Sequence, residues 1–135
     1  MIFKEMTIQT ILILVLIGVA SGMLSGFVGV GGGVIIVPAL VFFLGLSQHN
    51  AQGTSLFILL LPVGILAVVN YWKAGEISWK FGIIVSIAFV LGGYIGSKLS
   101  LKMSPHLVKF VFGLFMVVVS AKLIYSGYIG LNSEK

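Results

Sequence analysis

The chain contains no cysteine, no arginine and no aspartate, and only three prolines. Without cysteine, a disulfide framework, thiolate catalysis and Cys-ligated metals are excluded within it. Charge is scarce as well, at 8% of residues, where soluble domains carry about a quarter. Such a chain does not cover a water-facing surface. Between Glu5 and Lys73 there is no charged residue, and His49 is the single histidine. No carboxylate falls within any of the long apolar runs, which argues against a proton relay through a buried acid. No cluster of histidines and carboxylates suggests a metal site, and no nucleophile–base pair is apparent. An enzyme is therefore not expected, and neither a metal nor a cofactor is called for. Glycine-rich nucleotide motifs fail too: Gly29-Val-Gly31 is followed by Gly32 and Gly33, with no acidic residue about 20 positions downstream, and no Gly-Lys-Ser/Thr occurs.

What is present is apolar. Hydrophobic residues make up 59% of the chain and the mean hydropathy is +1.23. A transmembrane helix needs about 20 apolar residues, and the stretch from Glu5 to Lys73 holds more than two such spans. The composition predicts an all-α integral membrane protein, multi-pass in the cell membrane, with the lipid bilayer as its main surroundings. The net charge of +5 comes from lysines in short connections between apolar runs. Lysine there is topology and headgroup chemistry. No basic stripe interleaved with aromatics points to nucleic acid.

Along the chain, the pattern predicts a first span over Thr7 to Val30. Lys4 and the tripeptide Val19-Ala20-Ser21 imitate a cleaved leader, but the apolar run continues past them. The carboxyl half carries Gly18, Gly22 and Gly26 at spacing four, with a second row at Ser21, Ser25, Gly29 and Gly33. Small rows let another backbone approach closely, so this helix is expected at the centre of the bundle. Next come Gly29 and Gly31 to Gly33, then Val34 to Leu46 with Pro38 inside. Each glycine costs about 1 kcal/mol in a helix relative to alanine, and proline removes a further backbone bond. Val34 to Leu46 is also short for a crossing. Gly29 and Pro38 thus mark a structural break, and the segment reads as a broken or re-entrant half-helix. Irregular backbone at membrane depth is tolerated only where it is buried in protein or lines a cavity.

A polar stretch, Ser47 to Ser55, precedes a second long span from Thr54 to Trp72, with Thr54 or Ser55 as its cap. Tyr71, Trp72 and Trp79 are expected at the interface around the turn Lys73 to Lys80. A third span is predicted from Phe81 to Ser97, a basic connector from Lys98 to Lys109, and a last span from Leu107 to Tyr128, with Pro105 suited to its start. Lys122 is expected near the end of that span, snorkelling to headgroups. The result is a bundle of four to five transmembrane helices: four if Val34 to Leu46 re-enters, five if it crosses. The lysines then divide five against three or four against four. Neither split fixes an orientation, and dual insertion is allowed.

The glycine break is the chemically informative feature. Exposed amides at the amino end of a half-helix, together with its dipole, form an anion site, and secondary transporters place broken helices around their substrates. Gly31, Gly32 and Gly33 are candidate substrate-binding residues on that ground. Thr54 and Ser55 add hydroxyls, with Asn50 and Gln52 as candidate neighbours. His49 is a possible proton carrier by its ordinary pKa, although a loop histidine at the interface is more often without such a role.

These residues resemble those of the sulfite exporter TauE/SafE family of membrane anion transporters. The likeness rests on Gly26-Phe-Val-Gly29-Val-Gly31-Gly32-Gly33-Val-Ile-Ile-Val-Pro38-Ala-Leu40 and the downstream Ala51-Gln-Gly53-Thr54-Ser55. Weaker echoes follow at Gly75-Glu-Ile-Ser-Trp79 and Gly92-Gly93-Tyr-Ile-Gly96-Ser-Lys98-Leu. The resemblance implies movement of small sulfur-containing anions such as sulfite, sulfonates or related organic anions, with Gly31 to Gly33, Thr54 and Ser55 along the path. Family members typically hold two copies of the module, whereas residues 1–135 make one. A homodimer, or pairing with a second half-length module, is therefore expected. The initial Met and the charged Asn-Ser-Glu-Lys tail favour a complete half-length chain. Two other roles stay open: a structural or accessory subunit of a larger membrane complex, and a passive anion channel.

Overall fold

A computed structural model describes residues 6–29 and 31–135; Lys4, Glu5 and Val30 lie outside the described residues. The fold is all-α. Helix α1, Ile8–Val28, starts where Thr7 accepts a hydrogen bond from the Thr10 N–H at 3.2 Å and ends on Gly29. Gly29, Gly31 and Gly32 have φ of 78°, 74° and 76°, a region that side chains with a Cβ rarely enter. Three glycines so close in sequence therefore let the chain reverse tightly. Helix α2, Gly33–Leu44, begins at once with Gly32 as its N-cap. Its 12 residues span about 18 Å at 1.5 Å each, well short of the ~30 Å hydrocarbon core. The break at Gly29 and the half-helix are as the sequence predicts; Pro38, also expected to mark the break, instead lies inside the continuous helix α2.

Gly45 and Leu46 turn their N–H groups back onto the carbonyls of Leu40 and Val41. The chain then re-enters helix at α3, Gln48–Leu60, capped by the Ser47 hydroxyl, which accepts from the Asn50 N–H at 3.1 Å. This corrects the expected cap at Thr54 or Ser55. The polar stretch is the first half of a helix, because Ser47 satisfies an amino-terminal amide before Thr54 is reached. The expected continuous span to Trp72 is also broken. Pro62 forces the preceding Leu61 into extended backbone with ψ of 148°, and the chain resumes as α4, Ile65–Lys73, bent 53° from α3.

Helices α5, Trp79–Lys102, and α6, Pro105–Ser133, are longer than predicted. The basic connector shrinks to Met103 and Ser104, and Ser104 caps α6 through the Leu107 N–H at 3.2 Å. Pro105 opens that helix as expected. Because α6 runs on to Ser133, Lys122 stands well inside it rather than near its end. Among the described residues, three helices are long and apolar enough to cross a membrane, or four if the bent α3–α4 pair is one crossing. That is the four-crossing alternative; α2 is too short to add a fifth.

The core is small and centred on α2, whose Ile36, Val37, Leu40 and Leu44 pack with Ala51 of α3. Ile13, Leu14 and Ile17 of α1 close one side. So α2, not α1, sits at the centre, and a Cβ added at Gly18, Gly22 or Gly26 would meet nothing within 4 Å. The chain exposes 10962 Å², against ~6,800 Å² for a compact soluble monomer of this mass. The excess is apolar: α5, for example, has no buried residue among those described. Apolar area of that extent belongs against lipid or against another apolar protein surface.

Candidate functional site

The amino end of α2 opens onto a cavity of about 700 Å³ walled by α2, α3 and α5, within the range of small-molecule sites. The first-turn N–H groups of α2 have no acceptor within their own helix, and the positive end of its dipole lies there. Ile35 and Ile36 direct their N–H groups at the Gly32 carbonyl, at 3.0 and 2.8 Å. The N–H groups of Gly33 and Val34 have no acceptor among the described residues, and both residues line the cavity. On α3 the residues His49, Gln52, Ser55 or Leu56, and Leu59 face the same space. Steps of three and four make this one helix face. The third wall comes from Gly93, Gly96, Ser97 and Ser100 of α5.

Small residues set the clearances. A Cβ on Gly33 would stand 3.4 Å from the Ser55 hydroxyl oxygen, so that hydroxyl lies directly against the start of α2; Ser55 is only 3% exposed. Gln52 Oε1 accepts from the Ser100 hydroxyl at 3.3 Å, joining α3 to α5. His49 Nε2 is 3.1 Å from the Met103 carbonyl oxygen, and its Nδ1 is buried without a hydrogen-bond partner among the described residues.

A second cavity, about 570 Å³, lies between the small-residue side of α1 and the break after α3. Gly18, Gly22 and Gly26 line it together with Gly32, Pro62 and Gly64. Gly31 and Leu59 line both cavities. Ser21, 2% exposed, points a hydroxyl with no partner among the described residues into this apolar region. Tyr71 of α4 donates to the Gly26 carbonyl at 2.8 Å, holding the end of α1 near the break. No charged residue lines either cavity among the described residues. Lys98 lies over the Tyr94 ring at 4.7 Å and Lys109 over the Phe42 ring at 5.4 Å.

Of the residues predicted to bind substrate, Gly31, Gly33, Gln52 and Ser55 come together at the larger cavity and Gly32 at the smaller. Asn50 and Thr54 line neither. Thr54 donates its hydroxyl to Asn50 Oδ1 at 3.3 Å along the neighbouring face of α3. Neither Ser97 nor Ser100 was among the residues predicted to bind substrate. Their signal was there, since Gly93, Gly96, Ser97 and Ser100 are steps of three and four on one helix. His49 stands in the first turn of α3, not in a loop.

A family model described as sulfite exporter TauE/SafE matches residues 3–123. A "Probable membrane transporter protein" of Xylella fastidiosa (strain Temecula1 / ATCC 700964) is 32% identical over 117 residues, covering 85% of this chain and 44% of the relative. "Probable membrane transporter protein YunE" of Bacillus subtilis (strain 168) is 30% identical over 123 residues, 86% of this chain and 45% of the relative. "Probable membrane transporter protein MJ0441" of Methanocaldococcus jannaschii is 26% identical over 129 residues, 91% and 48%. The chain spans about half the length of the curated relatives it matches. No solved structure matches it significantly. With the glycine break, the half-helix and the family model agreeing over almost its whole length, the chain belongs to the sulfite exporter TauE/SafE family.

Proposed function

We propose that this chain is a secondary transporter module that moves small sulfur-containing anions, such as sulfite, sulfonates or related organic anions, across the cell membrane. The observation that carries the reading is the amino end of α2, whose first residues Gly33 and Val34 line a cavity together with Gln52, Ser55 and Ser100. Backbone N–H groups and hydroxyls suit an anion's oxygens, and fixed lysines, which would hold the cargo too firmly for release, stay outside. Gly31 and Gly32 shape the site through their positive φ and Gly33 by leaving room beside the Ser55 hydroxyl; Ser55 and Gln52 contact the anion. Asn50 and Thr54 support α3 from its other face.

Residues 1–135 act as one module of a two-module transporter, as a homodimer or with a second half-length module. Two facts support this. The relatives are about twice as long, and the chain exposes ~4,000 Å² more than a compact monomer, enough for one partner's half of a permanent interface of about 2,000–5,000 Å² in total, with area left for lipid. The open row Gly18, Gly22, Gly26 also fits the flank of a larger complex, the reading of an accessory subunit. Crosslinking in native membranes separates the two: pairs of this chain or of two modules favour the transporter.

The test is radiolabelled sulfite flux into proteoliposomes. Saturable flux is expected, and Gly32→Leu abolishes it, because φ of 76° and an Ile36 Cδ1 at 3.3 Å leave no place for the side chain. Flux that rises linearly with concentration and follows voltage identifies a channel instead. The absence of saturable flux, with Gly32→Leu indistinguishable from the parent, refutes the transporter.

A further inference from the structure

His49 is the second residue of α3 and lines the larger cavity. Its Nε2 stands 3.1 Å from the Met103 carbonyl oxygen. A carbonyl only accepts, so this contact assigns the ring hydrogen to Nε2. In the neutral ring Nδ1 is then a bare lone pair, buried and without a partner among the described residues. A lone pair repels the oxygens of an anion. Protonated, the same atom becomes a donor, and the ring a cation.

Nothing in the surrounding elements balances that cation. Helix α2 has no charged or titratable residue, and α3 has none besides His49. Helix α5 brings Lys98 and Lys102 to the Met103 end, and α6 brings His106 and Lys109. No acidic residue occurs between Glu76 and Glu134. Among the described residues of α2, α3 and α5 no carboxylate supplies the counter-charge, and the solute proposed for the cavity is an anion. Anion and proton therefore favour each other's binding, and such coupling is reciprocal.

We propose that Nδ1 of His49 takes up one proton with each anion entering the larger cavity, so that the cargo crosses as an anion–proton pair. The inference rests on the transport reading above. On entry the Nδ1 lone pair forms an N–H bond with a proton from water; on release that bond breaks and the proton returns to water on the other side. No electron is transferred. A strong-acid anion such as methanesulfonate draws this proton from solvent, whereas hydrogen sulfite is able to bring its own O–H.

Vesicles of phosphatidylcholine and phosphatidylglycerol holding the full chain and an internal pH dye test this. An inward methanesulfonate gradient is expected to acidify the interior by one proton per anion moved. An acidic exterior is expected to drive about tenfold accumulation per pH unit, the factor one proton supplies. His49→Gln keeps an amide donor for the Met103 carbonyl but has nothing to protonate. Whatever its rate, its ratio of protons to anions falls towards zero and the accumulation disappears. A second measurement is independent of that variant's folding. The chain has two histidines, so ¹⁵N-histidine spectra of the detergent-solubilised protein, assigned with His106→Gln, report Nδ1 directly. Methanesulfonate should convert the His49 Nδ1 signal from lone pair to N–H. Anion entry without proton entry, acidification with sulfite but not with transported methanesulfonate, or an unchanged Nδ1 signal overturns the proposal while leaving transport standing. If no anion moves by any route, the transport reading falls first and takes this one with it.

Discussion

Adding one carbon at two adjacent glycines should shift stability in opposite directions. Gly32 has φ of 76° and ψ of −30°, a backbone state that costs an L-residue about 1–3 kcal/mol. Its Cβ would also stand 3.3 Å from Ile36 Cδ1, a contact that the isoleucine must yield to by a few tenths of an ångström. Gly32→Ala is expected to destabilise by about 1–3 kcal/mol. Gly33 is the first residue of α2, with helical backbone. Its Cβ would meet only the Ser55 hydroxyl oxygen, at 3.4 Å. Alanine is better than glycine in a helix by about 0.5–1 kcal/mol, so Gly33→Ala should be neutral or stabilising by up to that amount. Reversible unfolding in mixed detergent–dodecyl sulfate micelles, followed by circular dichroism, measures both variants against the parent. Equal losses at the two positions would refute the claim that positive φ at Gly32, and not the small volume of the segment, is what the glycine provides.

Ser47→Ala removes the acceptor for the Asn50 N–H and should cost about 1 kcal/mol, read in the same unfolding assay as a loss that Ser47→Asp restores. Tyr71→Phe deletes the 2.8 Å bond to the Gly26 carbonyl; a loss of about 0.5–1.5 kcal/mol is expected, with faster hydrogen exchange at the end of α1. In sulfite flux measurements Ser55→Ala should raise the half-saturation concentration at least tenfold, since a hydrogen bond to a charged group contributes about 1.5–3 kcal/mol. Thr54→Val, one residue away on the other face of α3, should change it by less than threefold.

The break between α1 and α2 was legible because glycine and proline act through the backbone, and backbone rules are local. Gly29, Gly31 and Gly32 carry positive φ, which only their residue type announces. Pro38 hid its outcome better. It signals a disruption, yet α2 accommodates it as an interior residue, with packing from α1 and α3 holding the helix together. The start of α3 was misplaced because two cap candidates, Ser47 and Thr54, compete in the same polar stretch. Choosing between them depends on the turn that Gly45 permits, a non-local fact. Pro62 was visible, but the size of its bend is set by what packs on either side. The α5 wall escaped notice because serines at helical spacing in an apolar helix look the same whether they face lipid, a partner or a cavity. Only the tertiary arrangement distinguishes those surroundings.

A half-helix is an awkward element to keep in a membrane. Each unmatched amide exposed to hydrocarbon costs several kcal/mol, and three glycines add backbone entropy lost on folding. The Pro38 ring withholds one further N–H, leaving the Val34 carbonyl without its helical donor. Set against this, the core around α2 holds five buried residues, a modest return for a helix with so many liabilities. The arrangement is stable only if something polar takes the place of hydrocarbon at the start of α2. Ser55 at 3.4 Å from the Gly33 Cβ position does so in part, and the cavity beside it admits whatever supplies the rest. A continuous apolar helix in the same place would have packed better and bound nothing. The weak point in the packing and the opening for an anion are therefore the same feature, and a side chain at Gly32, strained by the positive φ there, should weaken the bundle as it closes the path.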